Sequence, residues 1–126
     1  MTIKNYAGFR DDVRSWIDAN LTEDLRAVSA KSTSVFVDTP YSLKWQAQLA
    51  TRGWVAPHWP EEFGGPGWDE TERYIFASEC ARAKAPSLGP MGLRMVAPCI
   101  MRYGTEAQKA HYLPRILSGE DYWCQG

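Results

Sequence analysis

Few side chains in this sequence stand where nucleophilic, acid–base or metal chemistry would need them. His58 and His111 are far apart, and no serine or cysteine occupies a nucleophile-elbow context. His58 falls in an aromatic-rich stretch and reads as a packed side chain, whereas His111 follows a helix start and reads as exposed. Adjacent carboxylates occur at Glu61-Glu62 and Asp69-Glu70. Acids at helix starts complement the positive end of the helix dipole, and that role is expected here. Cys80, Cys99 and Cys124 are widely spaced and form no C-x-x-C pair. That pattern argues against a disulfide framework or a zinc site and reads as buried apolar thiols. Gly64-Gly65-Pro66-Gly67 is neither a dinucleotide fingerprint nor a Walker loop. Pro66 removes an amide donor that a phosphate cradle would use, so a structural turn is expected.

Two groups are harder to set aside. Glu79 interrupts the apolar stripe Ile75, Phe76, Cys80, Ala83 of a helix. A buried carboxylate needs a partner, and Arg82 at i+3 could supply one, giving a structural ion pair. Met91, Met95 and Met101 form a partial soft face. They either fill a core or, for the i, i+4 pair Met91 and Met95, line a pocket for an aliphatic chain.

The elements that must position these residues are helical. Tyr6, Phe9, Val13, Trp16, Ile17 and Leu21 recur at steps of three and four and predict an amphipathic helix over residues 3–19. Thr22 could cap a short helix through Arg26, and residues 31–34 read as a loop. Thr39-Pro40 is an N-cap followed by a first-turn proline. The helix it opens should carry Leu43, Ala47, Leu49 and Ala50 inward and end at Gly53. Residues 53–68 hold three prolines, four glycines, three tryptophans and a phenylalanine. No helix is expected there, but a segment so apolar should lie packed against helices. Asp69 or Thr71 caps a helix that fades at Lys84-Ala85-Pro86. A further helix over 90–103 should be kinked at Pro98 and end at Gly104. Thr105-x-x-Gln108 is a capping box starting a helix to Leu113, and Pro114 opens a last helical turn ending near Gly119. From Glu120 the Tyr-Trp-Cys composition favours a strand. The predicted fold class is all-α, an orthogonal bundle of five to six helices over 1–119. It ends in the first strand of a β domain at 120–126.

Composition bounds the function. The 126 residues suit one domain, and 44% hydrophobic with 23% charged residues describes a folded one. The net charge of -1 offers no basic stripe for nucleic acid. No apolar run approaches the roughly 18 residues a membrane helix needs. The N-terminal stretch carries acids early and reads as neither a signal nor a transit peptide. A reducing, cytoplasmic location is expected.

Five motifs occur in order: G-W-V-A-P-H-W-P-E-E-F-G-G-P-G-W from Gly53, Glu79-Cys80-Ala81-Arg82, Y-G-T-E-A-Q-K from Tyr103, Y-L-P-R-I-L-S-G-E from Tyr112, and W-C-Q-G from Trp123. Together they resemble the N-terminal helical domain of FAD-dependent acyl-CoA dehydrogenases of bacterial type. The likeness is specific over residues 53–126 and generic before them. It implies a parent with a middle β domain and a C-terminal helical domain, FAD bound between them. That parent oxidises an acyl-CoA to the trans-2-enoyl-CoA. The base, a glutamate, would come from the C-terminal domain, so no catalytic residue is assigned here and the 126 residues alone should be inactive.

The resemblance further implies that Gln125 and Gly126 contact the flavin, and that Ser87, Met91, Gly92 and Met95 line the acyl pocket. The implied partners are an acyl-CoA substrate and electron-transferring flavoprotein, in a homo- or hetero-oligomeric parent. Two other readings stay open: a non-catalytic helical interaction module, and a related acyl-CoA oxidase or flavin monooxygenase. Faces meant for absent domains should leave an exposed apolar patch.

Overall fold

A computed structural model describes residues 3–126. Met1 and Thr2, part of the N-terminal stretch and of the expected 1–119 domain, lie outside the described residues. Six α-helices form among the described residues: α1 (Tyr6–Asn20), α2 (Glu23–Lys31), α3 (Thr39–Ala50), α4 (Glu70–Ala83), α5 (Ala97–Tyr103) and α6 (Glu106–Ser118). The expected all-α class and helix number hold. A 3-10 turn at Glu61–Phe63 interrupts the loop expected to hold no helix. Residues 120–126 form no strand, for a strand exists only through a ladder partner.

Local chemistry explains the boundaries. Asn5 caps α1 by accepting from the Gly8 N–H, and Asp69 and Thr105 close reciprocal capping boxes with Glu72 and Gln108. Asp38, one residue earlier than expected, is the N-cap of α3, which places Pro40 in the first turn. The C-cap of α3 is Thr51, not the expected Gly53, which instead closes the turn that follows. The Gly53 N–H donates to the Ala50 carbonyl while Trp54 N–H reaches back to Leu49, both at 3.1 Å, with Gly53 at φ +70. This paired closure needs the left-handed region that glycine enters freely.

Three expectations change. Helix α2 runs on to Lys31 instead of stopping near Arg26. Pro114 opens no new helix; α6 continues through it, because one absent N–H is tolerated where Leu113 and Ile116 are almost wholly buried on either side. On α3 the inward residues are Ser42, Trp45, Gln46 and Leu49, while Ala47 and Ala50 are exposed. The weight of Trp45, only 1% exposed, sets the face of that helix.

The core is an aromatic column. Trp16 of α1 lies 5.7 Å from Trp45 and 5.0 Å from Trp54, centroid to centroid. Trp54 continues to Trp68 and Phe76 at 5.5 and 5.8 Å, and Phe9 meets Trp68 edge-on at 5.3 Å. Such contacts add roughly 0.5–1.5 kcal/mol each beyond burial. They explain why the glycine- and proline-rich 53–68 segment is ordered: Trp54, Val55, Ala56 and Trp59 are buried. Gly65 completes the turn. A Cβ there would stand 1.7 Å from the Trp59 carbonyl oxygen, so the run is a structural turn.

Glu79 is the polar heart of the α1–α4 contact. It is 1% exposed, and the expected Arg82 pairs with it at 2.8 Å. Two partners come from α1: Arg10 at 2.8 Å, and Arg14, whose Nε and Nη2 each donate at 2.9 Å. Hydrogen bonds from Arg14, then Arg82 and Arg10, hold the Glu79 carboxyl far below the usual range against the opposing effect of burial.

Candidate acyl groove

Between α3, the 54–58 loop, α4 and residues 85–94 lies a groove of about 850 Å³. Its apolar walls include Trp45, Leu49, Trp54, Phe76, Leu88 and Leu93. A space of this size and character suits a drug-sized apolar ligand. Val35 and Phe36, exposed at 76% and 46%, extend the apolar surface at its edge.

One wall depends on a change of helical register. Residues Met91–Val96 form a wide π-type segment rather than the α-helix with a proline kink expected over 90–103. The Ala97 N–H donates five residues back, to Gly92. Leu93 O would then look to position 98, where proline has no N–H. The spare carbonyl is taken by the loop opposite: Trp59 Nε1 donates to it at 2.8 Å and His58 Nε2 at 3.2 Å. The side chains of the 53–68 segment thereby pin the groove wall.

The groove is polarised. His58, Arg73 and Arg94 line it, and no Asp or Glu among the described residues does. Burial of the ring, reinforced by the charges of Arg94 and Arg73, holds His58 below its ordinary value; its bond to Leu93 O opposes this. His58 is an exposed residue at the groove's rim rather than the fully packed side chain expected, and the partly covered ring is tied through Nε2 to Leu93 O. Cys80 also lines the groove, its thiol pushed up to about 12 by burial and then by the Glu79 charge. A thiol so held is inert. Cys99 and Cys124 are exposed, contrary to the expectation of three buried thiols. His111 is exposed as expected, and stacks edge-on to Tyr112.

The expected site residues do not fall together. Ser87 lines the groove. On the helical stretch the groove-facing residues are Pro90, Leu93 and Arg94, at i, i+3 and i+4. Met91 and Met95 lie one position further around the helix and outside the lining; Met95 is 47% exposed. Gly92 is buried on another side, where a Cβ would meet Ile116 at 3.1 Å and the Trp123 ring at 3.3 Å. Its role in the structure is close approach to α6. Gln125 and Gly126 are exposed, beyond Trp123, whose indole N–H is buried without an acceptor among the described residues. Sequence reasoning missed His58, Arg73 and Arg94 as neighbours, since they come from three separate segments.

Beyond α6 the chain is held by Arg115, which grips Asp121 through two nitrogens at 2.8 and 2.9 Å and reaches Glu120 at 3.1 Å. Gln46 Nε2 caps the same helix end, donating to the Ile116 and Leu117 carbonyls at 2.9 Å. No helix among the described residues is long and apolar enough to cross a membrane.

Comparison with known proteins agrees with this architecture. Residues 5–120 match the family model of the acyl-CoA dehydrogenase N-terminal domain. The chain is 34% identical to acyl-CoA dehydrogenase IpdE1 of Mycolicibacterium smegmatis, over 94% of this chain and 31% of the relative. It is 36% identical to FadE26 of Mycobacterium tuberculosis, over 93% and 29%. Among solved structures, the Tcur3481-Tcur3483 steroid ACAD superposes with a TM-score of 0.72 at 30% identity, over 95% of this chain and 30% of that one. The ChsE4-ChsE5 complex from Mycobacterium tuberculosis gives 0.71 at 32%, over 97% and 30%. The chain thus spans about a third of the length of the relatives it matches. A helical bundle with this groove, matched along nearly its whole length, belongs to the acyl-CoA dehydrogenase family as its N-terminal domain.

Proposed function

We propose that this chain shapes the acyl pocket of a flavin-dependent dehydrogenase whose whole protein oxidises an acyl-CoA to the trans-2-enoyl-CoA. The observation that carries the reading is the apolar groove of about 850 Å³, with Ser87 and the Leu93 wall on its lining. The chain's residues bind and orient the acyl group and exclude water from it. None is assigned proton abstraction.

FAD is the implied cofactor, and when bound it supplies the hydride acceptor. Gln125 and Gly126 are the residues that would hold it, an exposed amide and a free backbone following an indole N–H that lacks an acceptor. That donor set fits a polar flavin edge. Residues 120–126 would begin the β domain, a division supported by the family match ending at residue 120. Met91 and Met95 would contact substrate only at the groove's outer margin. A hetero-oligomeric parent is supported by the two-protein ChsE4-ChsE5 relative. Electron-transferring flavoprotein is the proposed electron acceptor, and three free cysteines suit the reducing cytoplasm.

The test uses the 126-residue chain with excess FAD and decanoyl-CoA. Trp45 and Trp54 line the groove and should report the acyl-CoA by a change in fluorescence, while no flavin absorbance survives desalting. Retained flavin that bleaches on adding the thioester would show a complete catalytic unit and overturn the division of labour; silent tryptophans would overturn acyl binding.

A further inference from the structure

A second, smaller cavity of about 20 Å³ lies behind the groove wall, between α3, residues 89–93 and the chain beyond α6. Gln46, Gly92, Gly119, Asp121 and Trp123 line it. Gly89 and Leu93 line both this cavity and the groove, so one thin wall separates the two spaces. The Trp123 indole N–H is buried and has no acceptor among the described residues. A Cβ on Gly92 would stand 3.3 Å from Trp123 Cδ1, the carbon bonded to Nε1. The N–H edge of the ring therefore lies on the Gly92 side, where the cavity is.

Gln46 supplies the complementary group. It is 5% exposed, and its Nε2 is committed to the Ile116 and Leu117 carbonyls at 2.9 Å. Its Oε1 remains as an acceptor facing the same small space. Gly119 lets the amide stand at the cavity edge, since a Cβ there would be 3.5 Å from Gln46 Nε2. Asp121, gripped by Arg115, keeps further lone pairs on its carboxylate. A ligand here must accept on one side and donate on the other. A cation cannot accept from the indole, and an anion would meet Asp121 and the Gln46 oxygen. Water does both, and a polar cavity above about 10–15 Å³ holds one molecule.

We propose that this cavity binds one structural water, which accepts from Trp123 Nε1 and donates to Gln46 Oε1 and the Asp121 carboxylate. The water ties the chain beyond α6 to α3 at the rear of the groove wall. A buried water with three partners is part of the structure and satisfies the donor that burial would otherwise penalise. The indole N–H is thereby used inward, which leaves the Gln125 amide and the Gly126 backbone as the groups offered to a flavin edge. The hydration site does not depend on the acyl-binding reading.

The experiment is water-selective NOE and ROE spectroscopy of the nitrogen-labelled 126-residue chain, read at the indole Nε1–H signals. Trp123 should show a water cross-peak of opposite sign in the two spectra, the mark of a water held beside the proton. Trp59 is the internal control: its buried indole donates directly to Leu93 O at 2.8 Å and should show no such peak. Tyr122→Phe removes a hydroxyl at the cavity that would relay magnetisation from solvent, and the Trp123 peak should persist. Gln46→Met removes the acceptor, and the peak should be lost; a dispersed amide spectrum checks that variant's fold.

A Trp123 signal with no water peak shows a dry cavity and overturns the proposal. A peak of the same sign in both spectra reports proton exchange at an open indole and overturns it too. Loss of the peak in Tyr122→Phe assigns it to the hydroxyl, with the same consequence. A peak that survives in Gln46→Met overturns the placement of the water on Gln46. The wild-type and Tyr122→Phe spectra decide the question even where Gln46→Met does not fold.

Discussion

The indole of Trp59 and the main chain of Leu93 are joined by a buried hydrogen bond of 2.8 Å, on a carbonyl that the helix cannot use because Pro98 lacks an N–H. A loop and a helix are thus locked by a vacancy in the helical ladder. Trp59→Phe removes the donor, and with it part of the buried ring volume, so Leu93 O retains only the longer His58 contact. The expected loss is about 2 kcal/mol of unfolding free energy, roughly half from the bond and half from the trimmed ring, read by urea denaturation. A loss of only about half that size would show that the loop is held by packing alone.

Glu79 should be the most sensitive polar position. Glu79→Ala leaves Arg10, Arg14 and Arg82 facing one another with no carboxylate between them. Because the arginines are partly exposed and can rehydrate, the loss should fall near the low end for a broken buried pair, about 3 kcal/mol. Single arginine-to-glutamine changes should cost about 1 kcal/mol or less, since the other two remain. Equal losses from Glu79 and Arg10 would contradict a shared network.

Stability should fall in acid. Glu79 has a folded-state value depressed from 4.5, and Asp69 one lowered from 3.8 to about 2 by the Glu72 N–H and then Lys4. For a depressed carboxyl the unfolded chain binds the proton first, so its stabilisation is complete above the unfolded value and fades as pH falls toward the folded one. Thermal midpoints should be level from pH 7 to about 5 as far as these groups act, then drop below about pH 4.5. Glu79→Gln should flatten that drop.

Gly65→Ala and Gly53→Ala should differ sharply. At Gly65 the new methyl collides with the backbone oxygen of Trp59, which cannot swing aside. About 3 kcal/mol or failure to fold is expected. At Gly53 nothing stands within 4 Å and only φ +70 opposes the change, so about 1 kcal/mol is expected. Circular-dichroism melts of the two variants distinguish close approach from backbone strain.

Gln46→Met removes the amide that caps α6 and keeps the volume. The buried carbonyl of Ile116 and the part-buried one of Leu117 then lose their donor. A loss of about 2 kcal/mol is expected, with faster hydrogen exchange in the last turn of α6. Exchange unchanged there would deny the cap.

Periodicity and caps were readable because they are local. The Val13–Ile17 stripe and the Asp69 and Thr105 capping boxes each depend on residues within a turn or two. The family motifs were readable for the same reason, being short contiguous strings. Glu79 announced itself as a misplaced charge, yet only Arg82 was visible as a partner, because Arg10 and Arg14 lie in another helix. The register of Met91–Val96 was hidden, since Pro98 permits either a kink or a wider turn and Gly92 against Ile116 and Trp123 decides between them. That choice turned Leu93 and Arg94, not Met91 and Met95, toward the groove. Helix existence follows from free energies summed along a few neighbouring residues. Which face looks into a cavity, and which charges meet there, follows from packing between segments distant in sequence, and only the folded chain brings those together.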